Sequence, residues 1–167
     1  FAEKIYALQL LEFRENEFRR ALYLWNDVEY HKKFYDENKN IILQNPYLEI
    51  KNVHDFIEQV FYEAEHLEEE IEHHYENDSL AELFEYLFNE ISPQNQFYKK
   101  IKQKLLRLYG IKLEDEYLVT GGAIKITKKM QDHPDTTEQL EILKQTKTFL
   151  DSENITDLDS LLDFMNE

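Results

Sequence analysis

Arg107 and Tyr109 stand two residues apart, so on a β-strand they would project from one face. Lys125 follows a glycine pair, Gly121–Gly122, further along the chain, and Lys128, Lys129 and His133 come next. Arginine suits bidentate contacts to phosphate. A lysine or arginine aimed at developing negative charge stabilises a phosphoryl transition state, and tyrosine, lysine or histidine can move a proton. A sheet carrying these side chains on one concave face could grip a phosphodiester. The two glycines, in a chain with only three, would then clear space for a phosphate between Arg107 and Lys125, since glycine in a strand marks a bulge or a close approach. A plain bulge beneath a packed helix explains the same residues.

Charge sets this region apart. The chain has 167 residues and a net charge of −16. Between Lys99 and Lys129 it holds nine cations and three anions, a net +6; the remainder holds ten cations and 32 anions, a net −22. Such asymmetry argues against nucleic acid binding over the whole surface and for a local anion site. A strand edge guarded by lysines against aggregation is the bland alternative. Hydrophobic residues make up 42% and aromatics 14%, which fits a folded domain and not an acidic disordered chain. The chain has no cysteine, which excludes disulfides and thiolate metal sites and fits a cytoplasmic protein. No apolar run approaches the roughly 18 residues of a membrane span, and no signal peptide is evident.

The elements that must position these residues can be read from periodicity. Residues 3–13 favour an edge strand. From Asn16 to about Glu37, Phe18, Ala21, Leu22, Trp25 and Val28 recur at helical steps, with a break expected where Asn26 and Glu29 could form a new cap. Asn45–Pro46 signals a turn. Asn52 caps the clearest helix, whose stripe runs Val53, Phe56, Ile57, Val60, Phe61, Ala64, Leu67 and Ile71. Its other face is nearly all glutamate. A shorter helix is expected over "LAELFEYLF". "KIKQKLLRLYGIKL" and "EYLVTGGAIKIT" flank the tetrad Leu113–Glu116 and read as a β-hairpin. In the second strand Leu118, Thr120, Gly122, Ile124 and Ile126 should share one face, and Tyr117, Val119, Gly121, Ala123 and Lys125 the other. Helices from Pro134 to about Leu150 and after Thr156 close the chain.

Glu63-x-x-His66 and Glu70-x-x-His73 have the spacing of carboxylate-bundle metal ligands. Both copies lie on one helix, where a solvated glutamate face is the simpler account, so no metal and no cofactor is expected. A helical metal-binding protein is the weakest of the readings.

The stretch "LLRLYGIKLEDEYLVTGGAIKITKKMQDHPDT", with the helix containing "EQLEILKQ", resembles the C-terminal half of RelE/HigB-type toxins of bacterial toxin–antitoxin systems. The shared pattern is an Arg-aliphatic-Tyr strand, a short acidic turn, an apolar strand ending in glycine, a Lys-x-Thr segment and a closing helix, over about residues 100–150. The resemblance implies an α+β fold, a single RelE-like domain in which helices pack on one face of a small antiparallel sheet. The sheet's C-terminal hairpin and helix span 99–150, a long acidic helical insertion covers about 14–92, and a last helix covers 156–167. It also implies metal-independent cleavage of mRNA, on the ribosome, by 2′-OH attack on the adjacent phosphate. Arg107, Lys125 and Tyr109 would be catalytic, and Lys104, Lys128, Lys129 and His133 would bind RNA. The implied partner is a small helix-turn-helix antitoxin. The insertion departs from the family pattern: these toxins are small and basic, and a −22 remainder should repel an anionic ribosome. The alternative of a different class is a non-catalytic interaction protein whose acidic helices bind a basic partner.

Overall fold

A computed structural model describes residues 4–7 and 15–167. A five-stranded sheet is the backbone of the molecule, in the spatial order β1-β5-β4-β3-β2. Its strands are β1 (Lys4–Ala7), β2 (Glu85–Tyr86), β3 (Tyr98–Lys102), β4 (Leu106–Lys112) and β5 (Glu116–Ile124). All neighbours pair antiparallel except β1, which lies parallel to β5 at one edge. The edge strand expected over 3–13 is present at Lys4–Ala7; residues 3 and 8–13 lie outside the described residues. The fold is α+β as the sequence implies. Helices cover both faces of the sheet, however, where the resemblance implies one.

On the first face lie α1 (Glu17–Trp25), α2 (Val28–Gln44), α3 (Val53–Glu76) and the single turn α4 (Leu80–Leu83). The break between α1 and α2 occurs as expected, but Asp27 caps α2, accepting from the N–H groups of Glu29 and Tyr30. α3 begins at its Asn52 cap. Its stripe buries Phe56, Val60, Ala64, Leu67 and Ile71 against Trp25, Phe34 and Tyr35 of the neighbouring helices and Ile101, Leu106, Leu108, Tyr117, Val119 and Ile124 of the sheet. Phe34 and Phe56 stack at 5.8 Å. On the second face, α5 (Pro134–Ser152) and α6 (Leu158–Met165) follow β5. Leu140, Leu143 and Leu150 pack there with Tyr98, Tyr109, Ile111, Leu118 and Ala123.

Three readings of the sequence need correction. "KIKQKLLRLYGIKL" is not one strand but two, β3 and β4, joined by the turn Gln103–Leu105. "LAELFEYLF" is helical only over Leu80–Leu83. Phe84 turns to an extended conformation and stacks on Tyr117 at 4.1 Å, and Glu85–Tyr86 joins the sheet beside β3. The tertiary contact overrides a helical pattern too short to hold itself. The expected faces of β5 also break. Tyr109 pairs with Gly121 but Gly110 pairs with Val119, so Thr120 is an unpaired bulge residue. The bulge exchanges odd and even positions. Tyr117 and Val119 share the first face with Ile124, while Leu118 and Ala123 share the second.

Candidate functional site

On the second face, the strand register puts Lys100 beside Tyr109, and Lys102 beside Arg107. Lys100 and Arg107 therefore come from adjacent strands onto one face, and Lys125 follows the end of β5 on the other side of β4. These three cations and Tyr109 line a cavity of about 410 Å³. Lys128, Lys129 and Gln131 of the loop after β5 form one rim, and Leu87, Phe88 and Asn89 after β2 the other. Among the described residues, five cationic side chains line it and no carboxylate does.

Arg107 is buried. Its Nη1 donates to the carbonyls of Leu106, at 3.0 Å, and of Gln103, while its Nε has no hydrogen-bond partner among the described residues. Burial lowers the guanidinium's pKa, an effect opposed by Tyr109 and Glu63. Lys125 Nζ donates to the carbonyls of Thr127 at 2.6 Å and Lys128 at 2.8 Å. Burial lowers its pKa to about 8, helped by repulsion from Arg107, Lys100 and Lys102. Lys100 is also lowered, first by burial; the nearby Glu85 carboxylate, 3.7 Å away, acts against this. Tyr109 is fully buried, its hydroxyl has no hydrogen-bond partner among the described residues, and burial raises its pKa. The hydroxyl therefore stays a proton donor at neutral pH. Buried polar groups are normally satisfied. Here Arg107 and Tyr109 line a cavity rich in like charge, and each also carries a buried polar atom, Arg107 Nε and the Tyr109 hydroxyl, with no partner among the described residues. That arrangement suits a bound anion.

The structure thus brings together Arg107, Tyr109, Lys125, Lys128 and Lys129, all named from the sequence, and adds Lys100. It does not bring in Lys104 or His133. Lys104, in the β3–β4 turn, pairs with Glu49 at 3.0 Å and lies over the Tyr47 ring. His133 is buried and caps α5: its Nδ1 accepts from the Asp135 N–H at 3.2 Å, and its Nε2 lies 2.8 Å from Asn38 Oδ1. With both nitrogens engaged it has a packing role. Lys100 is hidden in a single-strand reading of "KIKQKLLRLYG"; the turn at Gln103 places it opposite Tyr109.

The glycines do not clear space for a phosphate. A Cβ at Gly122 would lie 2.7 Å from the Trp25 ring, on the first face. A Cβ at Gly121 would lie 2.1 Å from Gln139 Oε1 of α5, at a φ of 157°. Each glycine admits a helix side chain, one on either side of the sheet. Glu63 departs from expectation too: it is not solvated but buried, on the inner side of α3. His66 pairs with Glu70 at 3.1 Å, while His73 packs against His74. Among the described residues no three His, Asp or Glu side chains are grouped to hold a metal ion.

No family model matches the chain, and no curated protein and no solved structure is significantly similar to it. Among the described residues no helix is long and apolar enough to cross a membrane.

Proposed function

We propose that this chain is a toxin-family endoribonuclease of a toxin–antitoxin module, acting in the cytoplasm on mRNA at the ribosome and neutralised by a small helix-turn-helix antitoxin. The observation that carries the reading is the convergence of Lys100, Arg107, Lys125 and Tyr109 on one cavity, in a protein otherwise strongly acidic. In this reading the 2′-OH of one nucleotide attacks the adjacent phosphorus, a 2′,3′-cyclic phosphate forms as the P–O5′ bond breaks, and the departing 5′-oxygen takes a proton from water. Arg107 and Lys100 face the charge that builds on the phosphoryl oxygens. Lys125, at a pKa of about 8, is partly neutral near pH 7 to 8 and can accept the 2′-OH proton. Tyr109, kept protonated by burial, donates to the phosphoryl group.

Expression of the chain without its partner should arrest growth, and purified protein should cleave mRNA in the presence of ribosomes. Arg107→Ala should abolish both; removing one such cation typically costs on the order of 10²–10³ in rate. No arrest by the unmodified protein, and no cleavage with or without ribosomes, would reject the nuclease. That result would favour the second reading, a non-catalytic protein that binds a basic partner. Its supporting observation is a groove on the helical layer lined by Asn26, Phe61, Glu65, Glu68, Glu69 and Glu72.

A further inference from the structure

Glu63 is 1% exposed, and its neighbours on the inner side of α3, Val60, Ala64 and Leu67, are apolar. A buried carboxylate is costly unless hydrogen bonds replace its water. Here they do. Oε1 accepts from the backbone N–H of Leu105 at 2.7 Å and of Leu106 at 3.1 Å, and Oε2 accepts from Gln59 Nε2 at 2.8 Å. The two amides belong to the last residue of the β3–β4 turn and the first residue of β4. The opposite groups of the same turn, the carbonyls of Gln103 and Leu106, receive Arg107 Nη1. α3 holds this turn a second time through Glu70 Oε2, which accepts from Gln103 Nε2 at 3.3 Å. One short turn is therefore gripped by two glutamates of the helical layer on one side and grips the guanidinium on the other.

We infer that Glu63 is a positioning residue for Arg107, acting through the backbone of the Gln103–Leu106 turn. The acidic insertion thereby fixes the pocket's most buried cation. Packing alone does not require a carboxylate here, since the rest of the stripe is aliphatic or aromatic. What Glu63 supplies is a rigid double acceptor whose reach from α3 sets where the turn, and hence Arg107, sits. The inference rests on reading the cavity as an anion site, and its test separates the two ideas.

The experiment follows the Arg107 Nε–H resonance by ¹⁵N–¹H spectroscopy while inorganic phosphate is titrated into the full chain. Phosphate should shift this resonance in the unmodified protein. Glu63→Ala should move the resonance before any phosphate is added and weaken phosphate binding about 10-fold or more, the size of one lost charged hydrogen bond. Glu63→Gln keeps an acceptor oxygen for the two amides and should restore both. Glu70→Ala removes the half-exposed second tether, is expected to fold regardless, and should move the resonance in the same direction by less. An unchanged resonance and affinity in Glu63→Ala, or in Glu70→Ala where Glu63→Ala does not fold, overturns the proposal. A loss in Glu63→Gln as large as in Glu63→Ala overturns the route through the turn amides. Failure of the unmodified protein to bind phosphate overturns the anion-site reading instead, and the resonance of the ligand-free variants still decides whether Glu63 places Arg107.

Discussion

At the scale of single residues, the cavity is defined by charges held where they are uncomfortable. Lys125 pays for burial and for the repulsion of three neighbouring cations. The protonated form is thus disfavoured in the folded state relative to the unfolded chain, where the lysine titrates near 10.5. The penalty is fully present below about pH 8 and is relieved as pH rises from there toward 10.5, so this group makes stability rise over that interval. Anion binding needs the charge and should run the other way, weakening as pH rises through about 8. Urea midpoints and phosphate affinities measured from pH 6.5 to 10 should show opposite trends, and both trends should flatten in Lys125→Met. The glycines give a second prediction. Gly122→Ala should destabilise the fold by about 1–3 kcal/mol, the usual cost of overpacking, because its Cβ meets Trp25 and the Arg107 carbonyl. Phosphate affinity of the folded protein should hold, as the contact is on the face away from the cavity. A variant of normal stability and lost affinity would return Gly122 to the site.

At the scale of elements, long periodic segments were legible and short ones were not. α3 could be read almost end to end, because its stripe repeats over many turns and Asn52 marks its start. The β4–β5 hairpin could be read from alternation around Leu113–Glu116. What alternation cannot reveal is a bulge: Thr120 costs the ladder one pairing and exchanges the faces of everything after it. Arg107 and Tyr109 are legible as a pair because both lie on β4, where alternation is unbroken and no residue is inserted. Alternation alone groups Lys125 with Tyr117 and Val119 on a common face, yet those two pack against the first helical layer. β2 was illegible for a different reason. Two residues form it, and they are held by pairing with Lys99 and Lys100 and by the stacking of Phe84 on Tyr117. α3 is more than a cover for the sheet, since Phe56 is fully buried between Phe34, Tyr35 and His31. Phe56→Ala should cost about 3–5 kcal/mol in urea unfolding. A cost below 1 kcal/mol would mean that this layer contributes little to the folded state.

At the scale of the whole molecule, a −16 chain presents a cationic cavity, and the two fields oppose each other. Local attraction acts over a few ångströms, whereas the acidic helices act on any long polyanion that approaches. Salt screens the second more than the first, because the Debye length is about 8 Å at physiological ionic strength. A short phosphate ligand that occupies only the cavity should therefore bind more weakly as salt rises. A long single-stranded RNA that also passes the acidic face should lose less, or gain, since screening removes a repulsion along with an attraction. The outer glutamates of α3 decide between the two functional readings on the same grounds. Glu65, Glu68, Glu69 and Glu72 line the groove with Phe61 and Asn26, and replacing all four with Gln removes four negative charges without touching the cavity. If the cavity is a nuclease site, RNA association should speed up in this variant and cleavage should persist or increase at low salt. If the acidic face is the functional surface, the variant should lose its hold on a basic helical peptide, while Arg107→Ala should leave that hold unchanged. Stopped-flow RNA binding and peptide titration of the two variants, each at low and at physiological salt, assign the function to one face: loss of peptide binding only with the glutamates, or loss of cleavage only with Arg107.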